Sequence, residues 1–247
     1  MTIAAGFVCS DGVLLASDTL YSNTGMGLKY GRKFWILDHG DVLVAFGGSG
    51  MEAALLRTRD EIDRKLNPGM SRIKVVDTID TALKKVHDKL PDHPDWKTYG
   101  LVVVRVGDVS VLYENAGGSN MLSPVQHKCQ CVGYGRSLGW YFASTLFAEG
   151  ASIKTARIVA AHLIKNVKEY SASCGGDTHL FEVPNIDSPM EITNQDEIEK
   201  LELHLAPLVD AIKMMVPDGV TNQETIELRM RTIASAIAKA ERTVAIT

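Results

Sequence analysis

The first eighteen residues constrain this chain more than any other segment. Apolar side chains alternate through Ile3, Ala5 and Phe7, Asp11-Gly12 follows, and Val13-Leu14-Leu15-Ala16 then runs on to Asp18. Alternation with period two marks a strand with a buried face, and Asp-Gly between two apolar runs is a strong signal for a tight hairpin turn. Residues 2–9 and 12–18 are therefore expected to pair as antiparallel strands. A lone hairpin is barely stable in water, so the remaining chain must supply more strands and a core to cover it.

The later sequence offers that cover. Residues 34–37 and 41–46 read as a second strand pair turned at His39-Gly40, with a polar, glycine-bearing loop expected over 21–33. Gly47-Gly48-Ser49-Gly50 reads as a turn into a helix, because Met51, Ala54, Leu55, Ile62 and Leu66 recur at helical spacing until Asn67-Pro68-Gly69. A second helix is expected over 75–90, strands over 99–106, 109–114 and 127–132, helices over 137–149 and 152–171, and a last strand over 178–183. Strands, two helices, strands, two helices, strand is the order of two stacked sheets with helix pairs outside, an α+β fold. Apolar residues return at helical spacing over 195–215 and 223–243, separated by Pro217-Asp218-Gly219, as in a helical hairpin. The expected division is a main domain over 1–190 and a C-terminal helical extension over 191–247, packed on the domain or on a neighbouring subunit.

Composition narrows the class. With 247 residues, 45% of them hydrophobic, the chain can fill a large core. A net charge of −4 gives no basic footprint for nucleic acid or an anionic membrane. No stretch approaches the roughly 18 uninterrupted apolar residues of a membrane span, and the opening has no basic, signal-like region. Cys9, Cys129, Cys131 and Cys174 have neither zinc-type nor disulfide-framework spacing, so they read as buried small hydrophobes in a reducing, cytoplasmic setting. No metal or other cofactor is expected.

Thr2 follows the initiator Met1, whose removal is common before a small side chain. An N-terminal threonine carries a hydroxyl nucleophile and an α-amine whose reference pKa lies near 8, so the amine can take the hydroxyl proton. A neighbouring lysine would lower the amine pKa further, and a carboxylate would hold the lysine.

The run from Thr2 through Gly6, Asp11-Gly12 and Ala16-Ser17-Asp18 resembles the opening of proteasome β subunits and their bacterial relatives, the N-terminal-nucleophile hydrolases. Tyr30-Gly31-Arg32-Lys33-Phe34-Trp35-Ile36 resembles the segment that bears that family's lysine, after a loop one residue shorter. Val44-Ala45-Phe46-Gly47-Gly48-Ser49-Gly50 resembles the turn whose amide faces the oxyanion, and Cys131-Val132-Gly133-Tyr134-Gly135 the family's Gly-Ser-Gly turn. The resemblance spans roughly residues 2–185 and implies a four-layer αββα sandwich and a divergent bacterial or viral proteasome homologue. By the same resemblance Thr2 is the nucleophile of a threonine-type endopeptidase, Asp18 and Lys33 support it, and the Gly47 amide, or that of Gly48, stabilises the oxyanion. Leu20, Tyr21, Gly31, Ala45, Gly48 and Ser49 would contact substrate. The implied partners are an unfolded polypeptide or peptide, further copies of the chain in a ring or stacked rings, and a regulatory ATPase.

Two supporting positions depart from the family pattern. Tyr134 replaces the serine of the Gly-Ser-Gly turn, and in Ser171-Ala172-Ser173-Cys174-Gly175-Gly176 a serine and a cysteine stand where an aspartate and a serine are usual. Ser171, Ser173, Cys174 or the Tyr134 hydroxyl would have to orient the amine instead. The same fold also serves amidases, acylases, transpeptidase-like ligases and non-catalytic ring subunits, and these stay open as alternatives.

Overall fold

The computed structural model describes residues 2–23, 27–90, 99–115 and 120–205. The chain divides into two compact units, Met1–Thr193 and Asn194–Thr247. The first holds two five-stranded antiparallel sheets. One has the order β10 (Cys129–Gly133), β1 (Ile3–Cys9), β2 (Gly12–Asp18), β11 (Thr178–Pro184), β12 (Met190–Ile192). The other has the order β5 (Phe34–His39), β6 (Val42–Ser49), β7 (Tyr99–Val106), β8 (Val109–Asn115), β9 (Ser123–Pro124). A two-stranded ribbon, β3 (Leu20–Asn23) with β4 (Gly27–Tyr30), lies between β2 and β5 in the chain.

The opening hairpin forms as its pattern predicts, with Cys9 opposite Gly12 and Ala5 opposite Ala16. It occupies the middle of its sheet, which explains why Ile3, Ala4, Ala5 and Phe7 and the whole of β2 are buried. The turn residue Asp11 has a second task. Its Oδ1 accepts the Ile153 N–H at 2.8 Å and so satisfies a free amide in the first turn of α4 (Ile153–Tyr170). Ala4, Val13, Leu15, Phe181 and Val183 of the first sheet meet Phe34, Leu43, Ala45, Leu101, Val103 and Leu112 of the second in one apolar cluster. A separate cluster joins Leu37, Val42, Val44, Phe46, Val102 and Val104 to α1 (Glu52–Asp63) and α2 (Arg72–His87) through Leu55, Ile62, Val75, Ile79 and Leu83. Helices α3 (Arg136–Leu146) and α4 pack on β10, β1, β2 and β11.

Four expectations need correction. Residues 21–33 are not all loop, since Leu20–Asn23 and Gly27–Tyr30 pair as strands. Each ribbon strand has only four residues, too few to show a period. The turn expected at Gly47-Gly48 is also absent, because β6 continues to Ser49. A side chain at Gly47 would press into the Lys33 carbonyl, and one at Gly48 into the Tyr99 carbonyl. These glycines mark close backbone approach inside a sheet rather than a turn. Strands β9 and β12, of two and three residues, are too short to show a period. The helix expected over 137–149 ends at Leu146, where the Lys128 ammonium takes the Ser144 carbonyl at 3.0 Å and the Phe147 carbonyl.

In the second unit, α5 (Gln195–His204) begins at Asn194, whose side chain accepts the Asp196 N–H. The rest of the expected helical hairpin lies outside the described residues. No described helix is long and apolar enough to cross a membrane.

The Phe34 and Phe181 rings join the two sheets, with centroids 5.5 Å apart. Phe34→Ala is expected to destabilise the protein by about 3–5 kcal/mol. Urea denaturation should show a lower midpoint with an unchanged slope.

Candidate functional site

Three chain segments converge at one end of the sheets. Thr2 stands at the head of β1, Asp18 closes β2, and Gly31-Arg32-Lys33 leads from β4 into β5. The β10–α3 turn grips Thr2 from one side. The Gly135 N–H donates to the Thr2 carbonyl at 3.2 Å, and Gly133, at φ +94°, lies so close that a side chain there would strike the same carbonyl. Only glycine meets both demands.

Asp18 is the hub. Its Oδ1 accepts the Thr2 hydroxyl at 3.3 Å, the Ile3 N–H at 3.1 Å and the Lys33 ammonium at 2.5 Å, and its Oδ2 accepts the Gly175 N–H at 2.9 Å. Lys33 makes a second bond to the Leu20 carbonyl at 2.7 Å, and its Nζ lies 5.2 Å from the centre of the Tyr21 ring. Thr2, Asp18 and Lys33 are all buried. Burial pushes the Lys33 pKa below the ordinary lysine range, while the Asp18 charge and hydrogen bond pull it back up. The site thus holds a hydroxyl, a carboxylate and a destabilised ammonium in hydrogen-bonding contact around one oxygen. Among the described residues no group of three or more His, Cys, Asp or Glu side chains could hold a metal.

The structure brings the expected Thr2, Asp18 and Lys33 together, with Leu20, Tyr21 and Gly31 around them. The Gly31 N–H donates to the Thr19 carbonyl at 2.9 Å, and the Tyr21 hydroxyl donates to the Arg32 carbonyl at 2.6 Å. Other sites call for correction. Ala45 is sealed in the cluster between the sheets and faces no cleft. The Gly48 N–H donates to the Lys33 carbonyl at 3.2 Å. That bond makes Phe34 and Gly47 a non-hydrogen-bonded pair, so the Gly47 N–H points at β7, opposite Leu101. Neither amide is open to a substrate in this arrangement. Ser49 is half-buried and ends β6. Tyr134 is 70% exposed, so its turn serves through the backbone of its two glycines rather than through the hydroxyl.

Cys174 is buried, and its sulfur would lie 3.2 Å from a Cβ placed on Gly135. Burial and the Asp18 charge raise its pKa, against an opposing Ser171 side-chain hydrogen bond, so it remains a neutral thiol. Ser171 therefore acts on Cys174, and Ser173 is half-buried beside it. Residue type gives no sign of the Gly175 amide on Asp18, because a backbone donor leaves no mark in it.

No protein-family model matches the sequence, and no curated protein matches it. Solved structures do. Anbu, described as an ancestral beta-subunit, from Yersinia bercovieri superposes with a TM-score of 0.75 at 13% identity, over 90% of this chain and 100% of that one. The chain has the Anbu fold. An Anbu mutant from Hyphomicrobium sp. strain MC1 gives 0.74 at 10% identity, over 90% of this chain and 100% of its own. The Anbu complex from Pseudomonas aeruginosa, solved as a helical assembly, gives 0.71 at 13%, over 89% and 99%. These matches correct the expectation of a divergent bacterial or viral proteasome β subunit: the neighbours found are Anbu chains. At such identities, what is shared with Anbu is the fold.

The buried pair yields a sharp test. Asp18→Asn leaves the Lys33 ammonium buried without its counter-charge and is expected to cost about 3–5 kcal/mol. Adding Lys33→Met removes the orphaned charge, so the double variant should melt above the single one in calorimetry.

Proposed function

We propose that the chain is an N-terminal threonine hydrolase, active on peptide bonds once Met1 is removed. The observation that carries this reading is the single Asp18 oxygen that accepts both the Thr2 hydroxyl and the Lys33 ammonium. A scaffold subunit has no need to bury a lysine and an aspartate beside its second residue, because burying a charge pair is costly.

The chemistry runs through an acyl-enzyme. The free Thr2 amine takes the hydroxyl proton as Oγ1 bonds to the substrate carbonyl carbon. The tetrahedral intermediate collapses, the carbon–nitrogen bond breaks, and the proton passes to the leaving amine. Water then attacks the Thr2 ester by the same proton path and frees the hydroxyl. Lys33, kept in place by Asp18 and the Leu20 carbonyl, keeps positive charge near the amine and so favours its neutral form. The oxyanion donor is taken to be the Gly47 amide or that of Gly48, which would have to leave the Lys33 carbonyl to serve. Such a donor typically contributes about 2.7–4 kcal/mol to the transition state.

An extended peptide adding to the strand edges near Tyr21 and Ser49 suits this cleft, with Leu20, Gly31 and Gly48 flanking it. The surrounding architecture is read as a four-layer αββα sandwich with a C-terminal helical extension from about residue 191. The helical assembly of the Pseudomonas aeruginosa neighbour supports a homo-oligomer. A cytoplasmic setting and a regulatory ATPase complete the proposal.

Intact mass spectrometry of Met1-free protein, after incubation with a peptide epoxyketone or β-lactone, tests the reaction. One adduct per chain is expected in the parent and none in Thr2→Ala. If the parent forms no adduct and cleaves no peptide in a broad library, the reading is wrong.

Acylation should also slow as pH falls. A protonated amine has no lone pair, and its reference pKa is about 8. The rise should level off once the amine is fully deprotonated, and the rate should fall again below the ordinary lysine range, where Lys33, its pKa lowered by burial, loses its charge. Stopped-time adduct yields across pH measure both.

A further inference from the structure

Lys33 belongs to Gly31-Arg32-Lys33, a tripeptide outside any strand, whose backbone is tied by the Gly31 N–H to the Thr19 carbonyl, by the Tyr21 hydroxyl to the Arg32 carbonyl and by the Gly48 N–H to the Lys33 carbonyl. Its neighbours on both sides grip the same ring. The Arg32 guanidinium carbon lies 5.2 Å from the centre of the Phe181 ring, and the Phe34 ring packs on Phe181 from the other side of Lys33. Phe181 is fully buried in β11, and its cross-strand partner on β12 is Glu191. Cross-strand partners share a face of the sheet, so ring and carboxylate form a two-point receptor for one guanidinium. Arg32 occupies both points, with Nη2 at 2.5 Å from Glu191 Oε2. The other Glu191 oxygen lies 3.9 Å from His179 Nδ1. Three positions before Phe181, on the same β11, Thr178 pairs with Asp18, the acceptor for Lys33.

We propose that Arg32 and Glu191 are positioning residues for Lys33, and that the edge strand β12 exists in part to present Glu191. The strand that aligns Asp18 also carries the ring that brackets Lys33, so ammonium and carboxylate are registered through one element. The backbone bonds fix the path of the tripeptide, but not the direction of the Arg32 side chain on the face of the Phe181 ring. A half-exposed carboxylate at a fixed point on β12 gives the guanidinium a direction as well as a surface. Neither residue touches the Thr2 hydroxyl, and their effect passes through the backbone of residue 33.

What Lys33 does depends on the hydrolase reading, but where it is held does not, and the test separates the two. Reductive methylation followed by peptide mass mapping reads the accessibility of Lys33 without any reaction at Thr2. In the parent, Lys33 should label far more slowly than the exposed lysines. Glu191→Gln and Arg32→Met should each speed Lys33 labelling by about five-fold, the equivalent of about 1 kcal/mol for a half-exposed pair. The double variant should label no faster than either single one, since the two residues act as a unit. With Met1-free protein, the same variants should slow adduct formation at Thr2 by about the same factor while half-saturation by the inhibitor stays unchanged. Lys33 labelling that is unchanged in both single variants overturns the positioning role, as does additive labelling in the double variant. Changed labelling in a protein that never forms an adduct supports the positioning role and sinks the hydrolase reading alone.

Discussion

The fold around the candidate site depends on one buried carboxylate. Asp18 receives a hydroxyl, two backbone amides and an ammonium, from residues 2, 3, 175 and 33. A buried carboxylate with fewer partners would be expensive, so each donor is needed as much by Asp18 as Asp18 is by it. That mutual need ties the head of β1, the end of β2, the entry to β5 and the segment before β11 to one point. The pair with Lys33 adds little net stability, since two charges must leave water to form it, yet removing one partner is costly. Such an arrangement specifies geometry more than it stabilises the fold.

Much of this was legible in the sequence. The hairpin could be read because Asp11-Gly12 has a local cause and its flanking residues alternate. The resemblance of residues 2–18 and 30–36 to proteasome β subunits singles out Thr2, Asp18 and Lys33, and the structure brings them within hydrogen-bonding reach. The long helices showed their period, and α4 appears within a residue of its expected limits at each end.

The failures share a physical origin. Gly47 and Gly48 look like a turn in the sequence because glycine most often signals one. Here they are required by the approach of the Lys33 and Tyr99 carbonyls, contacts made by residues distant in the chain. Position along the strand puts Ala45 at the cleft, but the pleat turns it into the core between the sheets. The ribbon of β3 and β4 and the edge strand β12 are too short for periodicity, and the Gly175 amide has no side chain to betray it. In each case a long-range contact decides what local sequence leaves undetermined.

One hydrogen bond joins the site to the sheet. Lys33 offers its side chain to Asp18 and its carbonyl to the Gly48 amide, so the same residue closes both the site and the end of β6. The Gly48 proton can exchange with solvent only when that carbonyl lets go. Its deuterium uptake is therefore a clock on the lysine itself, counting how often the centre of the site comes apart in the resting protein.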